Sequence, residues 1–226
     1  GRQISQSTKI YDRSGEVLLY EIYDKEKRTV VPFEEIPDYV KYATVAIEDK
    51  NFYNHPAFDW RAMIRALTIN LLKGRVVQGG STITQQLAKN AYLTPERTFK
   101  RKIKELILSY WIERYYSKDE ILNLYLNQIS YGSNAYGIEA AGQIYFAKPA
   151  KGLTLAEAAL LAGLPKAPTY YSPWGTHTDE LMERKNYVLE QMFNSGFIDQ
   201  EELERAKNYK FQFVSQNIGT IRAPHF

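Results

Sequence analysis

Three short stretches hold the residue types that chemistry needs. Gln78 to Asn90 reads QGGSTITQQLAKN, a helix start rich in hydrogen-bonding groups: Ser81, Thr82, Thr84, Gln85, Gln86, Lys89 and Asn90. With Ser81 as the cap, Thr82, Gln86 and Lys89 follow at i, i+4 and i+7 and form one polar stripe. Gly79 and Gly80 let a backbone approach closely just before free helix-start N–H groups, a favourable seat for an anion. Arg97 to Glu105 reads RTFKRKIKE, where five cations (Arg97, Lys100, Arg101, Lys102, Lys104) stand within eight residues against Glu105 alone. A polyanionic partner best relieves their mutual repulsion, and phosphate or pyrophosphate fits, since Arg clamps two oxygens and Lys adds a mobile point charge. Ala46 to His55 reads AIEDKNFYNH, and Glu48 follows an apolar run, where a carboxyl can be held in shape for proton transfer.

Each stretch has a plainer alternative: a solvated helix face after a flexible loop, a basic solvent face, and a surface pair of carboxylates at Glu48 and Asp49. His55 is a candidate base or metal ligand, although a lone histidine is usually structural, and without an HxxxH pattern or a matched His/Asp set the sequence does not indicate metal catalysis. A fourth stretch, KDEILNLYLN from Lys118 to Asn127, reads as core packing through Ile121, Leu122, Tyr125 and Leu126, with Asn127 ending the helix on backbone groups.

These side chains must be positioned by a chain of 226 residues, 44% hydrophobic and 24% charged, with a formal charge of +3. A fold of that size hides roughly 70 to 75% of its unfolded surface, so a real core is available. The charge is too small to argue for nucleic acid. The absence of cysteine excludes disulfides, thiol catalysis and cysteine metal sites, and agrees with an extracytoplasmic setting. The longest apolar stretch, Leu153 to Leu164, is too short to span a bilayer and is broken by Glu157.

Two β-rich runs around Asp12-Arg13-Ser14-Gly15 predict a small N-terminal hairpin, and from Ile36 the periodicity turns helical. Capping boxes at Ser117 to Glu120, Thr154 to Glu157 and Asp199 to Glu202 mark helix starts. Further helices are expected over residues 38–51, 59–73, 81–92, 98–116 and 178–194, with loops over 73–80 and 165–175. The expected organisation is mainly α: an N-terminal β-hairpin and linker over residues 1–35, one helical domain over 36–215, and a linker over 216–226.

In order and approximate spacing, EDKNFYNH, GGSTITQQ, RKIKE and KDEILNLYLN resemble the motifs of the peptidoglycan glycosyltransferases, family 51 of the glycosyltransferases. A fifth, RKNYVL at Arg184 to Leu189, agrees with them. The N-terminal IYDRSGEVL and the terminal APHF resemble the bifunctional class A penicillin-binding proteins, whose penicillin-binding domain would follow residues 216–226. Two positions depart from the pattern: Ala57 stands where glycine is common, and Lys185 where arginine is frequent.

The resemblance implies a lysozyme-like helical fold of two lobes around a cleft, and polymerisation of lipid II. The reducing end of an undecaprenyl-pyrophosphate glycan strand would pass, with inversion, to the 4-hydroxyl of the next lipid II. It makes Glu48 the general base with Asp49 supporting it, and Glu105 a second essential glutamate that orients Arg101. Lys89, Arg97, Arg101 and Lys102 would hold the donor pyrophosphate. Ser81, Thr82, Gln85, Gln86 and Asn90 would serve donor binding, and Phe52 and His55 would shape the first-motif loop. No cofactor is required, although a divalent cation, Mg or Mn, can assist by bridging phosphates. Phosphoglycolipid inhibitors such as moenomycin are implied ligands. The implied location is the external, periplasmic face of the inner membrane, with the anchor outside these residues.

Residue chemistry is compatible with synthesis: pyrophosphate leaves as an anion and needs cations, whereas glycan cleavage needs a carboxylic acid to protonate an alcohol. A cleaving lysozyme-like enzyme and a non-catalytic glycolipid-binding module are the alternatives. The segment Trp60 to Val77 carries a stripe of Trp60, Met63, Ile64, Leu67 and Leu71 beside Arg61, Arg65, Lys73 and Arg75, suited to a membrane surface or to burial in the core.

Overall fold

The capping boxes place three helices where the sequence predicts them. Ser117 accepts from the Glu120 N–H and Glu120 returns a carboxylate to the Ser117 N–H, and the same reciprocal pair forms at Thr154/Glu157 and Asp199/Glu202. A computed structural model describes residues 8–11, 18–22, 30–59, 64, 68–69, 72–73, 80–92 and 98–215. Within these, β1 (Thr8–Tyr11) pairs antiparallel with β2 (Leu18–Ile22) as the expected hairpin. The helices are α1 (Asp38–Glu48), α2 (Ile83–Tyr92), α3 (Phe99–Tyr115), α4 (Lys118–Gln128), α5 (Ile138–Phe146), α6 (Leu155–Gly163), α7 (Thr178–Asn194) and α8 (Gln200–Lys207). Of the helix expected over 59–73, residue 59 is described and is not helical, and residues 64, 68–69 and 72–73 are described and helical; the hairpin turn, the rest of that segment and residues 216–226 lie outside the described residues.

A second two-stranded sheet, β3 (Ser130–Gly132) with β4 (Ala135–Tyr136), has no counterpart in the sequence reading. Its turn uses Ser133 and Asn134 at φ of 49° and 61°, and Gly137 leaves it at φ 85°. A Cβ on Gly137 would lie 2.5 Å from the Asn127 carbonyl oxygen, so only glycine lets the chain turn there onto α5.

The helices pack as two groups, in agreement with the expected mainly α, two-lobed architecture. In one, α1, α6, α7 and α8 meet through small residues: Ala43, Ala46, Ala156, Ala159 and Ala162 bring the backbones close, and Val188, Leu189 and Met192 fill the remaining space. In the other, α2, α3 and α4 bury Ile83, Leu87, Ala88, Ile112, Ile121, Leu122 and Leu126. Asn127 does bond to backbone, but across the molecule: its Oδ1 accepts from Val31 N–H at 2.8 Å and its Nδ2 donates to Val31 O at 3.0 Å. The closing segment is tied down as well, with Val214 N–H donating to Tyr145 O at 3.0 Å and Trp174 Nε1 donating to Val214 O at 2.9 Å.

Candidate functional site

Helix α1 is packed into the first lobe by its alanines, and its last residue, Glu48, emerges into a cleft of about 970 Å³. The cleft wall includes Glu48, Asp49, Lys50, Asn51, Gly80, Ser81, Thr82 and Gln86 from α1, α2 and the chain adjoining them. Facing them are Pro165, Lys166, Tyr170 and Tyr171, and from α7 Glu180, Glu183, Arg184 and Tyr187.

Glu48 is held rather than free. Its Oε2 accepts from Gln86 Nε2 at 2.7 Å, and Gln86 Oε1 in turn accepts from Tyr125 O–H at 3.2 Å. Burial pushes the Glu48 carboxyl above the usual range, with Asp49 adding to the rise, while the Gln86 bond and the charges of Arg184 and Lys166 pull against it. A carboxyl in this setting is a stronger base than an exposed one once ionised.

Asp49 is not the other half of a surface pair. It is 8% exposed; Oδ1 accepts from His55 Nε2 at 2.7 Å and Oδ2 from Ile83 N–H at 3.1 Å. One carboxylate therefore ties the end of α1 to the following loop and to the start of α2, where the helix dipole also favours it. On its other side the His55 ring meets the Pro56 carbonyl, so both ring nitrogens face acceptors and the doubly protonated ring satisfies both. Burial lowers the His55 pKa, but the Asp49 and Pro56 oxygens outweigh it and the net shift is upward.

Several residues expected to contact a ligand make structural bonds. The helix cap is Thr82, not Ser81: Gln85 N–H donates to Thr82 Oγ1 at 3.2 Å and Thr82 N–H to Gln85 Oε1 at 3.3 Å, a Thr-to-Gln capping box. Thr82 also donates to Ala57 O at 3.0 Å, and Gln85 is wholly buried, its Oε1 engaged at the helix start and its Nε2 without a hydrogen-bond partner among the described residues. With Ile83 N–H bonded to Asp49, the N–H groups of Thr82, Ile83 and Gln85 at the helix start all have protein partners. Phe52 lies in the core with no exposure, Lys118 Nζ 4.6 Å from its ring centre, and acts by supporting the loop from beneath. Gln86 reaches the cleft but bonds Glu48.

The basic segment reaches the cleft wall at Ser81. Lys102 Nζ donates to Ser81 Oγ at 3.1 Å and also to Glu105 Oε1, while Arg101 Nη1 donates to Glu105 Oε2 at 2.9 Å. Glu105, 2% exposed, thus pairs with both Arg101 and Lys102. Arg101 Nε has no hydrogen-bond partner among the described residues. Lys89 and Asn90 are exposed on α2 beyond the cleft wall, Arg101 is not part of that wall, and Arg97 lies outside the described residues.

Sequence reasoning missed the cations opposite Glu48. Arg184 and Lys166 both act on its charge, and each has its own pKa lowered, burial being the largest cause. Arg184 was visible only as the first letter of the fifth motif. Lys185 next to it, 2% exposed, turns away from the cleft and donates to Lys207 O at 2.9 Å and Ala206 O at 3.3 Å, closing the end of α8.

A family model described as Transglycosylase matches residues 15–193. The chain is 49% identical over 212 residues to penicillin-binding protein 1A of Aquifex aeolicus (strain VF5), covering 94% of this chain and 29% of that protein. It is 44% identical over 226 residues to penicillin-binding protein 2D of Bacillus subtilis (strain 168), covering 99% and 32%. The crystal structure of penicillin-binding protein 1A from Haemophilus influenzae superposes with a TM-score of 0.51 at 25% identity, over 94% of this chain and 22% of that one. This chain therefore spans about a third or less of the length of these relatives. The family match extends over every residue of the cleft wall and over the helices that carry them, stopping before α8, and the chain belongs to the transglycosylase family, the class of enzyme that its motifs resemble.

Proposed function

We propose that this chain is a peptidoglycan glycosyltransferase that polymerises lipid II. The observation that carries the reading is Glu48, held by Gln86 at 2.7 Å in a cleft whose walls also present Lys50, Lys166 and Arg184. Glu48 takes the proton from the 4-hydroxyl of the acceptor lipid II. The freed oxygen forms a bond to the anomeric carbon of the growing strand from one face as the bond to pyrophosphate breaks on the other, which inverts the centre. Undecaprenyl pyrophosphate leaves as an anion and needs no acid, only positive charge. Lys102, Arg101 and Lys89 supply that charge on the donor side, where Lys102 meets the cleft wall at Ser81, and Arg184 and Lys166 supply it opposite Glu48.

Among the described residues no three His, Cys, Asp or Glu side chains converge as metal ligands. A Mg or Mn ion would thus rest mainly on phosphate oxygens, and no step above passes through it. No helix among the described residues is long and apolar enough to cross a membrane. The lipid tails of the substrate place the reaction at a bilayer surface, on the periplasmic face of the inner membrane, and phosphoglycolipids such as moenomycin would compete for the donor side. Purified protein given lipid II in detergent is expected to yield glycan strands. Release of soluble fragments from purified cell wall, with lipid II left intact, would refute the reading.

A further inference from the structure

We propose that the Tyr125 hydroxyl is a positioning group for Glu48, fixing the Gln86 amide so that its N–H rather than its carbonyl meets the carboxylate. The three residues come from α4, α2 and α1, and they form a chain of bonds with one sense: Tyr125 O–H to Gln86 Oε1 at 3.2 Å, Gln86 Nε2 to Glu48 Oε2 at 2.7 Å. An amide side chain is nearly symmetrical in shape, so something must choose which end faces the base. An ionised carboxylate only accepts, which asks for the N–H. The carbonyl is then directed into the second lobe, where a donor must receive it.

Tyr125 meets that need and is itself 1% exposed, walled in by the core of α2 and α4. A buried tyrosine hydroxyl needs a partner, and the Gln86 carbonyl provides it. Burial, then the charges of Glu48 and Tyr131, hold the Tyr125 pKa well above its ordinary value, so it remains a donor throughout the working pH range. Flipping the amide would set its carbonyl against the carboxylate and leave no acceptor for the Tyr125 proton. The hydroxyl thus penalises the flip, and each bond polarises the next.

The other charged or titratable groups that act on Glu48 are Asp49 at the end of α1, Lys166 on the turn after α6 and Arg184 on α7. Tyr131 on β3, raised by burial and by Glu48, completes the surroundings. None of these touches Gln86 in the way Tyr125 does, so removing the Tyr125 oxygen perturbs Glu48 along one route.

The test is Tyr125→Phe, followed by carbon-13 NMR titration of the Glu48 carboxyl in the protein without substrate, together with kcat and KM on lipid II. The Glu48 midpoint is expected to rise by about 0.3 to 1 unit. We expect kcat to fall about 2- to 10-fold, the span of one neutral hydrogen bond, with KM within about 2-fold. In a Gln86→Met background the same substitution should have no further effect on the midpoint, because the intermediary is gone. An unchanged midpoint in Tyr125→Phe overturns the proposal, and so does an equal shift with and without Gln86. The inference rests on the proposed reaction for its meaning but not for its test: a wild-type protein inactive on lipid II would sink that reaction, while the titration still decides the role of Tyr125.

Discussion

Asp49→Asn probes the joint that holds the site together. The wild-type carboxylate accepts two bonds, at 2.7 Å from His55 and 3.1 Å from Ile83 N–H, at 8% exposure. Asparagine has the same shape but only one acceptor oxygen, so its NH₂ must face one of the two donors. Losing one charge-assisted bond and weakening the other costs about 2 to 4 kcal/mol, since bonds to charged groups contribute about 1.5 to 3 kcal/mol each. For a chain of 150 to 250 residues about 1 kcal/mol corresponds to roughly 2 to 4 °C, so Tm should fall by about 5 to 15 °C. The deficit should depend on pH. His55 has a raised folded pKa, so its pairing contributes fully below the unfolded value of 6.5 and is lost as pH rises through the folded value. Calorimetry should therefore show a larger gap between wild type and variant at about pH 6 than at about pH 9, the remainder reflecting Ile83 N–H. Because the Asp49 charge contributes to the raised pKa of Glu48, the acid limb of activity should shift to lower pH in the variant. A gap that stays constant with pH, or an acid limb that shifts upward, would refute this reasoning.

Two further substitutions test other parts of the site. Lys102→Met leaves Glu105, 2% exposed, with Arg101 as its only ion-pair partner among the described residues and removes the contact to Ser81; we expect KM for lipid II to rise and stability to fall by about 1 to 3 kcal/mol, measured by saturation kinetics and chemical denaturation. Lys185, pushed down to about 8 by burial and by Lys207, binds fewer protons folded than unfolded between about pH 8 and its ordinary 10.5, so wild type should gain stability relative to Lys185→Met as pH rises through that window, and parallel stability curves would contradict it.

Much of the architecture was legible because it is written locally. Ser117/Glu120, Thr154/Glu157 and Asp199/Glu202 each form a box within four residues, and such bonds need no knowledge of the rest of the chain. The start of α2 misled because Ser81 and Thr82 are both good caps and only the position of Gln85 decides between them. Polarity alone also could not say which polar residues face a ligand: Thr82 and Gln85 are as hydrophilic as Ser81, yet they close a helix inside the protein. Arg184 and Lys166 escaped notice because they meet Glu48 only after α6 and α7 have packed against α1, a contact made by unremarkable alanines. The adjacent carboxylates of Glu48 and Asp49 diverge for a similar reason, as the chain leaves α1 between them and bonds one to the Gln86 side chain and the other to His55 and the first N–H of α2.

The central claim is that Glu48 removes the acceptor proton in a cleft whose wall the donor-holding cations adjoin through the Lys102–Ser81 contact. The most direct measurement is single-turnover polymerisation of lipid II by Glu48→Gln alongside its binding of the same substrate. Glutamine keeps the shape but cannot accept the proton, so strand formation should drop by at least about 100-fold, the lower range of general-base contributions, while binding changes by less than about 3-fold. Turnover within a few-fold of wild type would contradict the account.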